Sequence, residues 1–346
     1  MRALVNAAAG RAAPAPPSAA APVFHAGLEG YHPTPLRELP AIAAELGLGA
    51  VGLKDESARL GLPAFKILGA SWATEQALRA QPRTTTLVAA SAGNHGRAVA
   101  HEAARRGLDC RVMLPARSAP ARRAAIAGEG AEVVVIDGDY EQAVALAEAE
   151  ARRPGVALIA DVGAGDGAAD VIDGYATLFS EAAVQGTFDL VLVPVGVGSL
   201  AAAAARFAAQ AGARVIAVEP ERAACLAASL AAGRPVAIPT PGTAMAGMDC
   251  AEVSLAAWPD LQAGIAGVVT VSDDEARAAM RELAALGLRI GDCGAAPLAG
   301  LRALVADPAC AALREAVRLG RDTEVLLIAT EGATDPEAYA RAVTAA

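Results

Sequence analysis

Four short segments of this chain combine residue types and spacing that chemistry needs. Lys66 lies between Phe65 and Ile67, where the run Gly61-Leu-Pro-Ala-Phe-Lys-Ile-Leu-Gly-Ala70 passes from a glycine- and proline-bearing loop into helical sequence. A lysine between apolar neighbours is partly desolvated, which favours the free amine that condenses with a carbonyl to give an imine. The second segment, Ser91-Ala-Gly-Asn-His-Gly96, follows a strand-like run. Its glycines let backbone approach a ligand, and Asn94 offers both a donor and an acceptor. The third, Leu190-Val-Leu-Val-Pro-Val-Gly-Val-Gly-Ser-Leu200, reads as a strand, a tight glycine turn and a helix N-terminus. Backbone N–H groups, the helix dipole and the Ser199 hydroxyl would there cradle a phosphate. The segment lacks the Lys-Ser/Thr of a P-loop and the third glycine of a dinucleotide fingerprint, so one monophosphate fits better than a dinucleotide. The fourth, Leu326-Leu-Ile-Ala-Thr-Glu-Gly-Ala-Thr-Asp335, puts the Thr330 hydroxyl where a strand runs into a turn.

Each segment also has a structural reading. Lys66 could simply start a helix, and Ser91 cap one. His95 could be structural, Gly196–Ser199 an ordinary turn, and Thr330 a hydroxyl satisfied by local backbone.

Elements that would position these residues follow from the hydrophobic pattern. Strands are expected at 86–90, 110–114, 132–136 and 156–160, with helices at 97–106, 119–128 and 140–152 between them. A second series of strands covers 189–194, 214–219 and 324–330, and a glycine-rich, irregular stretch at 163–174 separates the two series. Strand–helix alternation implies parallel sheets with helices on their faces. Such sheets bind ligands beyond the carboxyl ends of their strands, where the four segments fall.

Composition narrows the function classes. The formal charge of −9 argues against nucleic acid or an anionic membrane as partner. Hydrophobic residues reach 54%, largely alanine, but no unbroken apolar run is long enough for a membrane span. Aromatics are 3%, so pocket walls must be aliphatic side chains and backbone. The five cysteines show no CxxC and no Cys/His cluster, which predicts a reduced, cytoplasmic chain without a metal site. Residues 1–23, rich in Ala and Pro, read as a loose N-terminal arm.

In order along the chain, the segments resemble the fold-type II (tryptophan synthase β-like) pyridoxal-phosphate (PLP) enzymes, and within them the diaminopropionate ammonia-lyase family. The resemblance rests on Tyr31-His-Pro-Thr-Pro-Leu36, Lys54-Asp-Glu-Ser57, Ala64-Phe-Lys-Ile-Leu-Gly-Ala70, Gly93-Asn-His-Gly-Arg97 and Gly174-Tyr-Ala-Thr-Leu178. It continues through Gly196-Val-Gly-Ser199, Thr243-Ala-Met-Ala-Gly247, Gly294-Ala-Ala296 and Thr330-Glu-Gly-Ala-Thr-Asp-Pro336. It implies two α/β lobes with open, mostly parallel sheets: a large PLP-binding domain of residues 1–80 and 176–346, and a small mobile domain of 81–175. PLP would lie in the cleft between them, and a homodimer is expected.

The resemblance also assigns roles. Lys66 would hold the cofactor as an imine and later move protons at Cα. Asn94 would meet its phenolic oxygen, Gly196, Val197, Gly198 and Ser199 its phosphate, and Thr330 its pyridine nitrogen. Ser91, Ala92 and His95 would face the substrate. The implied reaction expels the β-amine of 2,3-diaminopropionate and ends in pyruvate and ammonia. Because neutral amine is a poor leaving group, a carboxyl is expected nearby.

The chain departs from the family pattern in informative places. Where the ammonia-lyases usually carry an aspartate associated with the D-isomer, this chain has Ala92, whereas Asp161 matches the aspartate associated with the L-isomer. Preference for the L-isomer is therefore expected. The Ser-Ala-Gly-Asn-His run also resembles the loop of serine/threonine dehydratases, so loss of hydroxide is the alternative reaction. A non-catalytic, PLP-binding relative is the third reading. Asp292 stands where many relatives have glutamate. The contexts of Cys225 and Cys250 resemble segments bridged by a disulfide in an ammonia-lyase; here two neighbouring thiols are expected.

Overall fold

The computed structural model describes residues 1–163 and 165–344, with Asp166 described by its backbone alone. The chain forms two compact units, one of Met1–Phe65 and Tyr175–Ala346, the other of Lys66–Gly174. The second unit thus begins at Lys66 rather than at residue 81. Its Ile67–Ala80 helix packs against the Asn94–Arg106 and Asp166–Gly174 helices, so it groups with the smaller sheet. On the first unit, the two points where the chain leaves lie side by side: the rings of Phe65 and Tyr175 are 4.7 Å apart.

The strands in chain order are β1 (Ala3–Val5), β2 (Leu36–Glu38), β3 (Ala50–Asp55), β4 (Thr86–Ala90), β5 (Asp109–Pro115) and β6 (Glu132–Ile136). They continue with β7 (Val156–Leu158), β8 (Leu190–Pro194), β9 (Arg214–Pro220), β10 (Ile265–Val271) and β11 (Glu324–Ala329). The first unit holds a seven-stranded sheet in the order β1-β10-β9-β8-β11-β3-β2. Its five central strands are parallel, and only the edges β1 and β2 run antiparallel. The second unit holds an all-parallel sheet, β6-β5-β4-β7.

Central strands covered by helices on both faces read as continuous apolar runs. β8, Leu-Val-Leu-Val-Pro, is buried at every position. The carboxyl ends carry the chemistry-bearing segments: β4 leads to Ser91, β7 toward Asp161, β8 to Gly196 and β11 to Thr330. That is the placement which open parallel sheets impose on ligand sites.

Two expectations fail. Residues 1–23 are not a loose arm. β1 pairs with β10, Arg2 forms ion pairs with Glu275 and Asp307, and the Asn6 amide donates to the carbonyls of Gln262 and Ile265. Long-range pairing supplies the order that local composition does not. Nor is 163–174 irregular throughout, because Asp166–Gly174 is a helix. It is held by packing on the Ile67–Ala80 helix, where a side chain at Gly174 would collide with the Leu68 carbonyl. Among the described residues, no single helix is long and apolar enough to cross a membrane.

Candidate active site

The second unit brings three of the expected residues together. Lys66 immediately precedes the Ile67–Ala80 helix, and Nζ donates to Asp161 Oδ2 at 3.0 Å. Both side chains are largely covered, with 19% and 13% exposure. Asp161 lies just past β7, and its Oδ2 is also 3.9 Å from His95 Nδ1. Burial opposes ionisation of Asp161, but the charges that His95 and Lys66 carry at the acid pH where it titrates outweigh burial and bring the acid to about 2. Burial in turn pushes His95 below its ordinary range, so the ring is neutral at pH 7 and Lys66 is the cation that pairs with Asp161. The neutral ring donates from Nε2 to the Ile159 carbonyl at 2.8 Å. That tautomer leaves Nδ1, which has no hydrogen-bond partner, as an acceptor on the side of Asp161.

The loop after β4 is shaped by its small residues. The Ser91 hydroxyl accepts the Gly93 N–H at 3.2 Å, and a side chain at Gly96 would collide with the Ser91 carbonyl. A Cβ at Gly93 would meet nothing within 4 Å, so backbone is open to a ligand there. Asn94 is the first helical residue after it. Ala92 presents a methyl and no acid. Asp161 also lines a cavity of ≈ 200 Å³ with Ala90, Leu158 and the Val144, Ala147 and Glu148 side of the Tyr140–Glu150 helix.

The first unit supplies the other donors. Gly198, at φ 95°, turns the chain into the Ser199–Ala211 helix, whose first-turn N–H groups have no acceptor within the helix. A Cβ at Gly196 would sit 2.8 Å from the Gly247 oxygen and 3.0 Å from Cys250 Sγ, so only glycine fits. Val197 is fixed through its carbonyl, which accepts the Ser254 N–H at 2.8 Å. Cys225 approaches the same turn from another side, Sγ lying 3.5 Å from the Gly196 oxygen. Cys225 and Cys250 therefore flank Gly196, both as thiols. At the end of β11, Thr330 is 5% exposed and its hydroxyl has no hydrogen-bond partner.

A buried hydroxyl without a partner costs stability unless a ligand completes it. A glycine turn opening a helix fits a phosphate, and a lysine amine, here paired with Asp161, fits an aldehyde. These are the kinds of group that PLP needs at its pyridine nitrogen, its phosphate and its aldehyde. Of the two lysines in the chain, Lys54 is fully buried and ion-paired with Glu181, so Lys66 is the one able to carry a cofactor.

Comparison with known proteins agrees. The model of the family described as "Pyridoxal-phosphate dependent enzyme" matches residues 28–331. The chain belongs to the pyridoxal-phosphate dependent enzymes. Within them it is 33% identical to the diaminopropionate ammonia-lyase of Escherichia coli K12, over 92% of this chain and 89% of that one. It is 31% identical to the biosynthetic L-threonine dehydratase of the same organism, over 83% of this chain and 54% of that protein. The crystal structure of the Escherichia coli ammonia-lyase in complex with an aminoacrylate-PLP azomethine reaction intermediate superposes with a TM-score of 0.90 and 31% identity, covering 99% of this chain and 96% of that one. The same enzyme has been crystallised in complex with D-serine. The fold is that of the fold-type II PLP enzymes, as the sequence predicts.

Sequence reasoning did not anticipate that His95 sits beside Asp161, or that Gly247 and Cys250 wall the Gly196 turn. It also missed a buried charge cluster around Arg59. These pairings join residues far apart in the chain, and no local pattern marks them.

Proposed function

We propose that this chain is a PLP-dependent ammonia-lyase that converts 2,3-diaminopropionate and water into pyruvate and two ammonia molecules, with the L-isomer favoured. The observation that carries the reading is the ionised Asp161 carboxylate 3.0 Å from Lys66 Nζ, in a chain whose relatives bear that enzyme's name.

Lys66 would hold the cofactor, with Asn94 at its phenolic oxygen, Gly196–Ser199 at its phosphate and Thr330 at its pyridine nitrogen. When bound, PLP supplies an electron sink for the pair left at Cα as its proton departs. A neutral threonine hydroxyl at the pyridine end keeps that sink moderate, which suits prompt loss of a β-substituent. Asp161 is a carboxylate throughout the neutral range and accepts the Cα proton of the L-isomer. Lys66, once freed, would take that proton from Asp161 3.0 Å away and pass it to the leaving β-nitrogen, because a neutral amine leaves poorly. Ser91, Ala92 and His95 face the substrate, and the Ile159 carbonyl fixes the His95 ring through Nε2. Ala92 leaves the 91–96 loop without the carboxylate associated with the D-isomer.

Release of keto acid from both isomers of diaminopropionate, from serine and from threonine tests the reading. Turnover of the L-diamino acid above the others is the expected result. Preferred release of 2-oxobutyrate from threonine would replace it with the dehydratase reading, which the Ser91–His95 run and the threonine dehydratase relative favour. PLP uptake without any turnover would leave a binding protein. A cytoplasmic homodimer completes the proposal, and sedimentation of the PLP-loaded chain checks its oligomeric part.

A further inference from the structure

Beneath the loop that leads to Lys66 lies a cluster of four buried charges that the reaction does not use. Lys54, Glu56 and Arg59 come from β3 and the turn after it, and Glu181 from the Ala176–Gln185 helix. All are buried, and the charges balance. Arg59 grips two carboxylates at once. Nε and Nη2 donate to Glu56 at 2.8 and 2.6 Å, while Nη1 and Nη2 donate to Glu181 at 2.6 and 2.8 Å. Lys54 Nζ donates to Glu181 at 2.7 Å, to the Thr34 carbonyl at 2.6 Å and to Gln185 at 2.9 Å. Tyr31 and the Thr34 backbone donate to Glu181 as well.

Burying four charges is a poor way to gain stability, since apolar residues of similar volume often do as well or better. What such a cluster supplies is fixed geometry. The Arg59 backbone pairs with Leu62 in both directions, at 2.8 and 3.0 Å, closing a turn in which Leu60 sits at φ 48° and Gly61 at φ 84°. Leucine is disfavoured in the left-handed region, so this turn needs an external hold. From the turn the chain runs antiparallel to the end of β11. The Pro63 carbonyl accepts the Gly332 N–H at 3.0 Å, Ala64 bridges Glu331, and the Phe65 N–H donates to the Thr330 carbonyl at 3.1 Å. Lys66 is the next residue.

We propose that Arg59, clamped between Glu56 and Glu181, is a positioning residue that fixes the backbone of residues 60–65 from which Lys66 follows. It acts through six residues of backbone and touches neither substrate nor cofactor. The proposal rests on the reading that Lys66 anchors PLP, and the test separates the two. Apoprotein is mixed with PLP, trapped with borohydride at intervals and digested, and mass analysis reads which of the two lysines is modified and how fast. The charge-balanced variant Arg59→Met/Glu56→Gln keeps the Lys54–Glu181 pair. At a temperature well below its unfolding it should load Lys66 at least about tenfold more slowly than the parent, the scale of a small misplacement far from the chemistry. Arg59→Lys keeps the charge but loses the fork, and should fall between the two. A merely structural cluster would lower thermal stability and leave loading rates unchanged. Folded variants that load Lys66 at the parental rate overturn the positioning role alone, and the loading rate of Arg59→Lys decides the matter if the double variant does not fold. An unmodified Lys66 in the parent overturns the anchor reading and this proposal with it.

Discussion

Lys66 and Asp161, 95 positions apart in sequence, form an ion pair at 3.0 Å with both side chains mostly covered. The pair links an amine able to carry a carbonyl cofactor with a carboxylate whose neighbours hold it well below the usual range. On the proposed reading, Lys66 without Asp161 would attach the cofactor but leave proton transfer unassisted.

The first prediction separates those roles. Asp161→Asn keeps the shape and removes the charge. Lys66 should still take up PLP, while kcat/KM for L-diaminopropionate falls by about 10²–10⁴-fold, the range for loss of a general base. Lys66→Ala should abolish the imine absorbance altogether. Parental kcat/KM in Asp161→Asn would remove Asp161 from the mechanism.

The proposed isomer preference turns on a single methyl. Ala92 gives the 91–96 loop no carboxylate, and His95 in the same loop is buried and neutral. The parent should release pyruvate from the L-isomer well ahead of the D-isomer, and Ala92→Asp should raise the D-rate without an equal gain on L. Equal parental rates for the two isomers would sink the argument.

Much of this was legible beforehand because the signals are local. The strands at 86–90 and 132–136 and the apolar run at 190–194 show in the hydrophobic pattern, and the Gly196–Ser199 turn shows in glycine spacing. What stayed hidden depends on distant partners. β1 is three residues long and is a strand only because β10 pairs with it. The Asp166–Gly174 helix carries glycines that read as a loop, and tertiary packing overrides them. Arg59 and Glu181 are 122 positions apart, so nothing near either residue announces their contact.

Stability should fall at both ends of the pH scale, for opposite reasons. Burial raises Glu181, but Arg59 and Lys54 outweigh it and bring the acid from 4.5 to about 2, as the neighbours of Asp161 bring it from 3.8 to about 2. A depressed acid stabilises the fold above its unfolded pKa, and that stability is lost as pH falls through the folded value. Each contributes about 2–3 kcal/mol, lost between roughly pH 4.5 and 2. Glu219 behaves inversely. Burial pushes it up to about 8, against the Leu226 and Ala227 N–H groups it accepts at 2.7 and 2.9 Å. A raised acid stabilises below its unfolded pKa, and the loss is complete once pH has risen through 8. Denaturant melts should therefore show the parent weakening from about pH 5 to 8 and levelling off above it, with Glu219→Gln keeping a flatter profile. Parallel profiles would contradict it.

Thr330 gives a prediction in which apo stability and cofactor affinity move in opposite directions. Its hydroxyl is buried without a partner, and valine has nearly the same shape. Removing an unsatisfied buried hydroxyl relieves a cost of about 1–3 kcal/mol, so Thr330→Val should raise the melting temperature of the apoprotein. If the hydroxyl meets the pyridine nitrogen, the same change should weaken PLP binding, because it deletes the partner at that end. A hydrogen bond of ordinary strength predicts a loss of about 0.5–1.5 kcal/mol, roughly three- to tenfold in affinity. Melting of the apoprotein and equilibrium titration with PLP read the two effects independently. A variant that is stabilised yet binds PLP as tightly as the parent would place the pyridine nitrogen elsewhere; one that is destabilised would mean that the hydroxyl has a partner in the apoprotein after all.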